Sequence, residues 1–209
     1  MSRNAKIRKY TFHFLRLPVF SWENRLEIIV PPKEIRHEKT EPQKAGKNEY
    51  LCDSMFLSSC YERLIKGPDE ELYLVTGTQY NNTKILTTML PLKYKYQSIA
   101  GVAGDEESTR QQLKMVDAFG SRYLAYFHSH PGYGEDATRP STIDISLQQK
   151  YERAKQFVIG GIFSRSGHVR FYSYEFPFTI NVLGKRVRKV SDNVFQLEIQ
   201  SENVPVQKA

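Results

Sequence analysis

The sequence predicts an α/β domain in which helices pack on a mixed β-sheet. Three observations carry this. The chain has 209 residues, 40% of them hydrophobic and 12% aromatic, enough to core one domain of ordinary size. Short apolar runs rich in branched and aromatic residues alternate with segments whose apolar residues recur at helical spacing. That alternation follows no regular repeat, which favours a mixed sheet over a uniform strand-helix-strand series.

In chain order, "KYTFHFLRLPVF" and "RLEIIV" read as short strands ended by Pro18 and by Pro31 with Pro32. Residues 31–49, polar and containing Pro and Gly, read as a linker. A helix is expected over residues 51–67, with Met55, Phe56, Cys60 and Leu64 near helical spacing and Gly67-Pro68 as its stop. Residues 70–80 and 84–94 read as strands joined through "NNT", whose asparagines tolerate a left-handed turn. Residues 97–108 form a glycine-containing loop. A second helix, residues 109–120, groups Leu113, Val116 and Phe119 and ends at Gly120. "YLAYFHSH" is the next strand. A third helix follows from Ser141, with Ile143, Leu147, Tyr151 and Ala154 at helical spacing, and residues 156–176 make two strands around a Ser-Gly turn.

Composition narrows the function classes. The net charge is +7, and residues 1–48 hold 11 Lys and Arg against 5 Glu, or +6 of it. No zinc-finger or RNP-type pattern accompanies that stretch, so it reads as solvated charge or as a dock for an acidic partner, against nucleic-acid binding. No apolar run approaches the roughly 18 residues of a membrane span, and charges interrupt the N-terminal apolar residues too often for a secretory signal. A cytoplasmic protein is expected. Only Cys52 and Cys60 are present. On a shared helix they would stand about 12 Å apart, too far for a disulfide, and reduced structural thiols are expected.

The chemistry concentrates in "HSHPGYGEDATRPSTID", residues 128–144. On a strand, His128 and His130 project to one face together with Leu124 and Tyr126, about 7 Å apart along the chain. Two imidazoles can then reach one ion. Zinc sites of the catalytic type use three protein ligands and leave the fourth position to water. Asp144, in the first turn of a helix starting at Ser141, is the candidate third ligand. The same Ser-x-x-Asp also matches a capping box, with Ser141 as the cap. Both readings stand, and Glu135 and Asp136 are further oxygen donors in the loop.

Together, "YFHSHPGYG", "STID" opening a helix and "PDEELYLVTG" before a strand resemble the JAMM, MPN+ or JAB zinc metalloprotease family, whose pattern is Glu, His-x-His-Pro and Ser-x-x-Asp. This is the family of the proteasome-lid deubiquitinase and of bacterial JAB-domain isopeptidases. The resemblance spans about residues 49–180. It implies the MPN (JAB) fold, a mixed curved sheet packed with helices in a cytidine-deaminase-like architecture. The expected organisation is a basic extension with short strands and linker over 1–48, a metalloprotease core over 49–182, and a C-terminal strand and tail over 183–209.

Carried over residue by residue, the resemblance implies His128, His130 and Asp144 as Zn2+ ligands and Ser141 as the serine that steadies the reacting oxygen. The family's glutamate lies seven positions before a glycine, which from Gly77 is Glu70, with Glu71 second. The family usually has seven residues between the second histidine and the serine. Here there are ten, residues 131–140, with Gly132 and Gly134 giving the loop room to bend. The implied activity is hydrolysis after the glycine-ended tail of ubiquitin or a ubiquitin-like protein, with conjugation-pathway enzymes as further partners. Residues 95–107 and 133–139 are expected to frame the groove for that tail. The alternatives are a catalytically silent MPN scaffold that binds partners through its basic extension, and a basic nucleic-acid-binding module.

Overall fold

The computed structural model describes residues 48–199, which lie within one compact unit, Gln43–Ala209. The strands expected before residue 31 and the linker up to residue 47 lie outside the described residues. The elements are β1 (Asn48–Asp53), α1 (Ser54–Leu64), β2 (Leu72–Tyr80), β3 (Thr83–Pro91), β4 (Tyr94–Ser98), β5 (Gly101–Gly104), α2 (Glu106–Ala118), β6 (Arg122–His130), α3 (Thr142–Arg153), β7 (Ile159–Ser164), β8 (His168–Tyr172), β9 (Phe178–Leu183), β10 (Val187–Ser191) and β11 (Val194–Leu197). A single 3-10 turn, Asp136–Thr138, lies between β6 and α3. Nine strands form one sheet in the order β10-β11-β8-β7-β6-β2-β3-β1-β9, and β4 with β5 forms a separate hairpin. β1 runs parallel to β3 and β9, and β6 parallel to β7, while the other neighbours are antiparallel. The mixed sheet is therefore present. Its strands continue through position 183, so β9, β10 and β11 complete the same sheet.

The first expected helix is two elements. Tyr50 and Cys52 alternate with less buried neighbours and make β1, and Asp53 then accepts the Met55 amide at 2.7 Å to cap α1. Cys52 and Cys60 thus occupy different elements, both buried and both free. Burial pushes the Cys52 thiol up to about 12 and the Cys60 thiol well above its ordinary value, so both stay protonated and inert. α1 buries Leu57, Cys60, Tyr61 and Leu64, while Met55 is exposed. These residues join Phe127, Phe163, Phe171 and Phe195 in the main core on one face of the sheet. At about 1.5–3 kcal/mol for each fully buried large apolar side chain, this cluster dominates the stabilisation.

A smaller cluster lies on the other face, where Tyr126, Ile162 and Tyr172 pack with Ile145, Leu147 and Tyr151. Leu147, Ile145 and Tyr151 place α3 there. Leu124 belongs to the main cluster, not to the Tyr126 side, because the β2–β6 register shifts between Val75 and Thr76. The irregularity resets the strand's alternation, so Tyr123 reaches Tyr151 on the α3 face (hydroxyls 3.0 Å apart) as Tyr126 does. Two further apolar residues also face solvent. Phe119 caps α2 and is exposed, and Ile143 is 73% exposed. The loop expected over 97–108 contains most of the β4–β5 hairpin, which periodicity does not reveal because Gly101 and Gly104 replace alternating apolar residues.

Candidate metal centre

β6 ends in the candidate ligands. His128 is buried, and its ring stacks on Tyr126 at 6.4 Å and 14°. His130 lies one pleat further on, and the two Nε2 atoms are 3.1 Å apart. α3 brings the third group: Asp144 Oδ1 is 3.1 Å from His128 Nε2, and Oδ2 is 3.5 Å from His130 Nε2. One ligand atom from each residue can be chosen within 4.8 Å of the others.

These separations fit a metal. Ligands at about 2.0–2.1 Å from a tetrahedral ion stand about 3.3–3.4 Å from each other, close to the distances found. The protonation pattern fits as well. His130 Nδ1 faces the Ala137 carbonyl at 2.8 Å and must donate to it. Its Nε2 then presents a lone pair to the cluster. A carboxylate and an imidazole nitrogen aimed at one point call for a cation or a proton between them.

The electrostatics agree. Burial opposes the charge of Asp144, but hydrogen bonds from His128, His130 and Ser141 and the charge of His128 outweigh it, holding the carboxyl well below the usual aspartate range. For His130, burial favours the neutral ring. The Asp144 and Ala137 hydrogen bonds, with the charges of Asp144 and Glu70, more than offset this and raise its pKa above 6.5.

Asp144 is both a candidate ligand and a cap. Its Oδ2 accepts the Ser141 amide at 2.7 Å, and Ser141 Oγ accepts the Asp144 amide at 3.2 Å, completing the capping box. The two roles draw on the same rigid first turn, so the cap pre-aims the carboxylate. Ser141 Oγ keeps its own proton to donate.

Glu70 precedes β2 and lines the same cleft as His128, His130, Ser141 and Asp144. Burial, aided by the charge of Asp144, raises its pKa against the opposing pull of His128 and His130. Glu71 is spoken for elsewhere: Tyr94 donates to its Oε2 at 2.6 Å and Gln97 to its Oε1 at 3.0 Å. Glu71 does not line the cleft. Glu135 does not line it either and pairs with Arg170, whereas Asp136 borders the cleft and pairs with Arg139.

The cleft, about 480 Å³, is walled by Ile99 to Val102 of the β4–β5 hairpin, by Pro131, Gly132, Ala137 and Arg139 of the loop, and by Ile143 and Leu147 of α3. Both segments expected to frame a groove border it. Sequence reasoning missed the supports beneath. Gln148, fully buried, accepts from Tyr126 Oη at 2.9 Å and donates to the Val158 carbonyl at 2.9 Å and to Glu152 at 2.9 Å. It lies one turn beyond Asp144, so it pins the helix face that carries the candidate ligand. Tyr172 Oη closes on Tyr126 Oη at 3.0 Å because Gly160 leaves space: a Cβ there would lie 2.3 Å from the Tyr172 ring. The i, i+4 spacing from Asp144 was the available signal for Gln148.

Among the described residues no helix is long and apolar enough to cross a membrane. No family model matches the chain, and no curated protein matches it. Solved structures do align with it. The solution structure of the protein DSY2949 from Desulfitobacterium hafniense shares 17% identity over 65% of this chain and 94% of its own, with a TM-score of 0.47. The crystal structure of a JAB1/MPN domain protein from Archaeoglobus fulgidus shares 17% identity over 65% of this chain and 98% of its own, with a TM-score of 0.40. The chemistry assigned to this chain therefore rests on the site itself.

Proposed function

We propose that this chain is a zinc-dependent amide hydrolase of the JAMM type, with an MPN fold, that cleaves after the C-terminal tail of ubiquitin or a ubiquitin-like protein. The observation that carries the reading is the meeting, in one cleft, of three converging ligand atoms with a separate carboxylate and a hydroxyl donor. The likeness of the motifs to the JAMM pattern supplies the substrate class.

His128, His130 and Asp144 would hold the ion, which when bound would lower the pKa of a water toward about 7 and polarise a carbonyl. Glu70 then takes a proton from the attacking water and returns it to the leaving amine nitrogen, a role worth about 100- to 10,000-fold. Its raised pKa suits both halves of that task. Ser141 donates a hydrogen bond from its hydroxyl to the oxyanion that develops on the carbonyl oxygen, worth about 3–4 kcal/mol by analogy with other oxyanion donors. The first turn of α3 fixes that hydroxyl before substrate arrives.

An extended tail would lie along the β4–β5 hairpin. β5 pairs only with β4 among the described strands, which leaves its other edge to bond a peptide backbone, and close walls select glycine. Conjugation-pathway enzymes are the further partners this reading expects.

A panel of ubiquitin-like fusions incubated with zinc-loaded full chain tests it. Cleavage after the modifier tail, lost about 100-fold or more in zinc-loaded Glu70→Gln, is the expected result. Stoichiometric zinc with no cleavage of any fusion would leave a metal-binding scaffold in place of the hydrolase.

A further inference from the structure

Residues 131–140, longer by three than the family's usual spacing, are bound down along their length. Arg165 donates its amide to the Gly132 carbonyl at 2.9 Å, and the Gly134 amide donates to Ser166 Oγ at 2.6 Å. Arg170 on β8 grips two loop residues at once: Nη2 pairs with Glu135 Oε1 at 3.2 Å, and Nε donates to Thr138 Oγ1 at 3.2 Å. Ser191 donates to the same Glu135 oxygen at 2.9 Å. Thr138 is fully buried, and its hydroxyl donates to the Glu135 carbonyl at 2.6 Å. Between the two gripped residues lies Ala137, whose carbonyl accepts the hydrogen bond from His130 Nδ1.

We propose that Arg170 is a positioning residue for the metal centre: its fork on Glu135 and Thr138 sets the Ala137 carbonyl against His130 Nδ1 and thereby fixes the tautomer and aim of His130 Nε2. The inference rests on reading the cluster as a metal site. Its physics is specific to a guanidinium. Two donors held in one plane lock two acceptors, whereas an ammonium at the same place reaches one of them as a point charge. The pair is less than half exposed, with side-chain accessibilities of 22% and 36%, so solvent screens it less than a surface pair. Without the grip the 3-10 turn keeps its own hydrogen bonds but loses its side-chain tie to β8, and its carbonyl can turn away from His130. The His130 proton then distributes between its nitrogens, and the fraction with a bare Nε2 falls. The loop thus provides a brace for the second histidine.

The test uses the full chain as wild type, Arg170→Met, Arg170→Lys and Glu135→Ala, with two readouts. Chelator competition gives the zinc dissociation constant, and long-range proton-nitrogen NMR of the metal-free protein gives the His130 tautomer. Arg170→Met and Glu135→Ala are expected to weaken zinc by about 10- to 100-fold, the usual cost of losing support behind a metal ligand, and to turn a single Nδ1–H tautomer into a mixture. Arg170→Lys should fall between. Glu135→Ala leaves β8 intact, so a folding defect of Arg170→Met does not remove the test. Wild-type zinc affinity and an unchanged single tautomer in both Arg170→Met and Glu135→Ala would overturn the inference. Absence of zinc binding by the wild type would instead defeat the metal-site reading, and the tautomer would then decide for or against the brace alone.

Discussion

Asp144 offers the sharpest dissection, because its capping contact and its charge beside the two imidazoles respond differently to an amide substitution. Oδ2 accepts the Ser141 amide at 2.7 Å, while Oδ1 stands 3.1 Å from His128 Nε2. Asp144→Asn keeps an amide oxygen for the Ser141 amide but brings no charge to the imidazoles. Asp144→Ala removes both. The capping contact is worth about 1 kcal/mol, which for a domain of this size is about 2–4 °C in thermal midpoint. Loss of one of three metal ligands should exceed the roughly 100-fold cost of losing a supporting residue, and 100-fold is about 2.7 kcal/mol of binding free energy. The assay is paired: thermal midpoints of metal-free proteins, and zinc affinity by chelator competition. Asparagine should keep most of the metal-free midpoint and lose zinc more than 100-fold, while alanine loses both. An asparagine variant that bound zinc like the wild type would refute the ligand role and leave Asp144 a helix cap.

Other outcomes follow from the same geometry. His130 must shed its proton to bind metal, and its pKa is raised above 6.5, so zinc affinity should begin to fall at a higher pH than an ordinary histidine would dictate, by about tenfold per pH unit for each proton displaced; a flat affinity across that range contradicts this. The Glu70 carboxyl of the metal-free protein should titrate above the ordinary 4.5 by NMR, and the value should drop when zinc is added, because a nearby cation favours the charged form. Gly160→Ala, placing a methyl 2.3 Å from the Tyr172 ring, should cost about 1–3 kcal/mol through overpacking, readable as a lower denaturant midpoint; an unchanged midpoint would mean that Tyr172 yields freely.

What the sequence shows and what it conceals divide by distance along the chain. His128 and His130 are two positions apart on a strand and Ser141 and Asp144 three apart at a helix start, so local periodicity places each pair. That the pairs meet depends on β6 and α3 sharing one face of the sheet, and the motif resemblance supplied that link. Harder features involve long-range partners. Arg170 and Glu135 are 35 positions apart, and nothing local marks them as a pair. β1 hid because its two buried residues, Tyr50 and Cys52, run straight into α1 without an intervening turn. Met55, Phe119 and Ile143 sit at helical spacing yet are exposed, since periodicity gives a stripe but not the width of the neighbour that covers it. The fully buried Gln148 inverts the usual rule, a polar side chain that is inside because three partners satisfy it.

The most direct measurement is an anomalous difference map from a crystal of the zinc-loaded protein, collected at the zinc edge. One peak about 2.0–2.1 Å from both Nε2 atoms of His128 and His130 and about 2.0–2.2 Å from an Asp144 oxygen is the expected result. A well-ordered, zinc-saturated crystal with no peak there, or with Asp144 turned away from the two imidazoles, would contradict it.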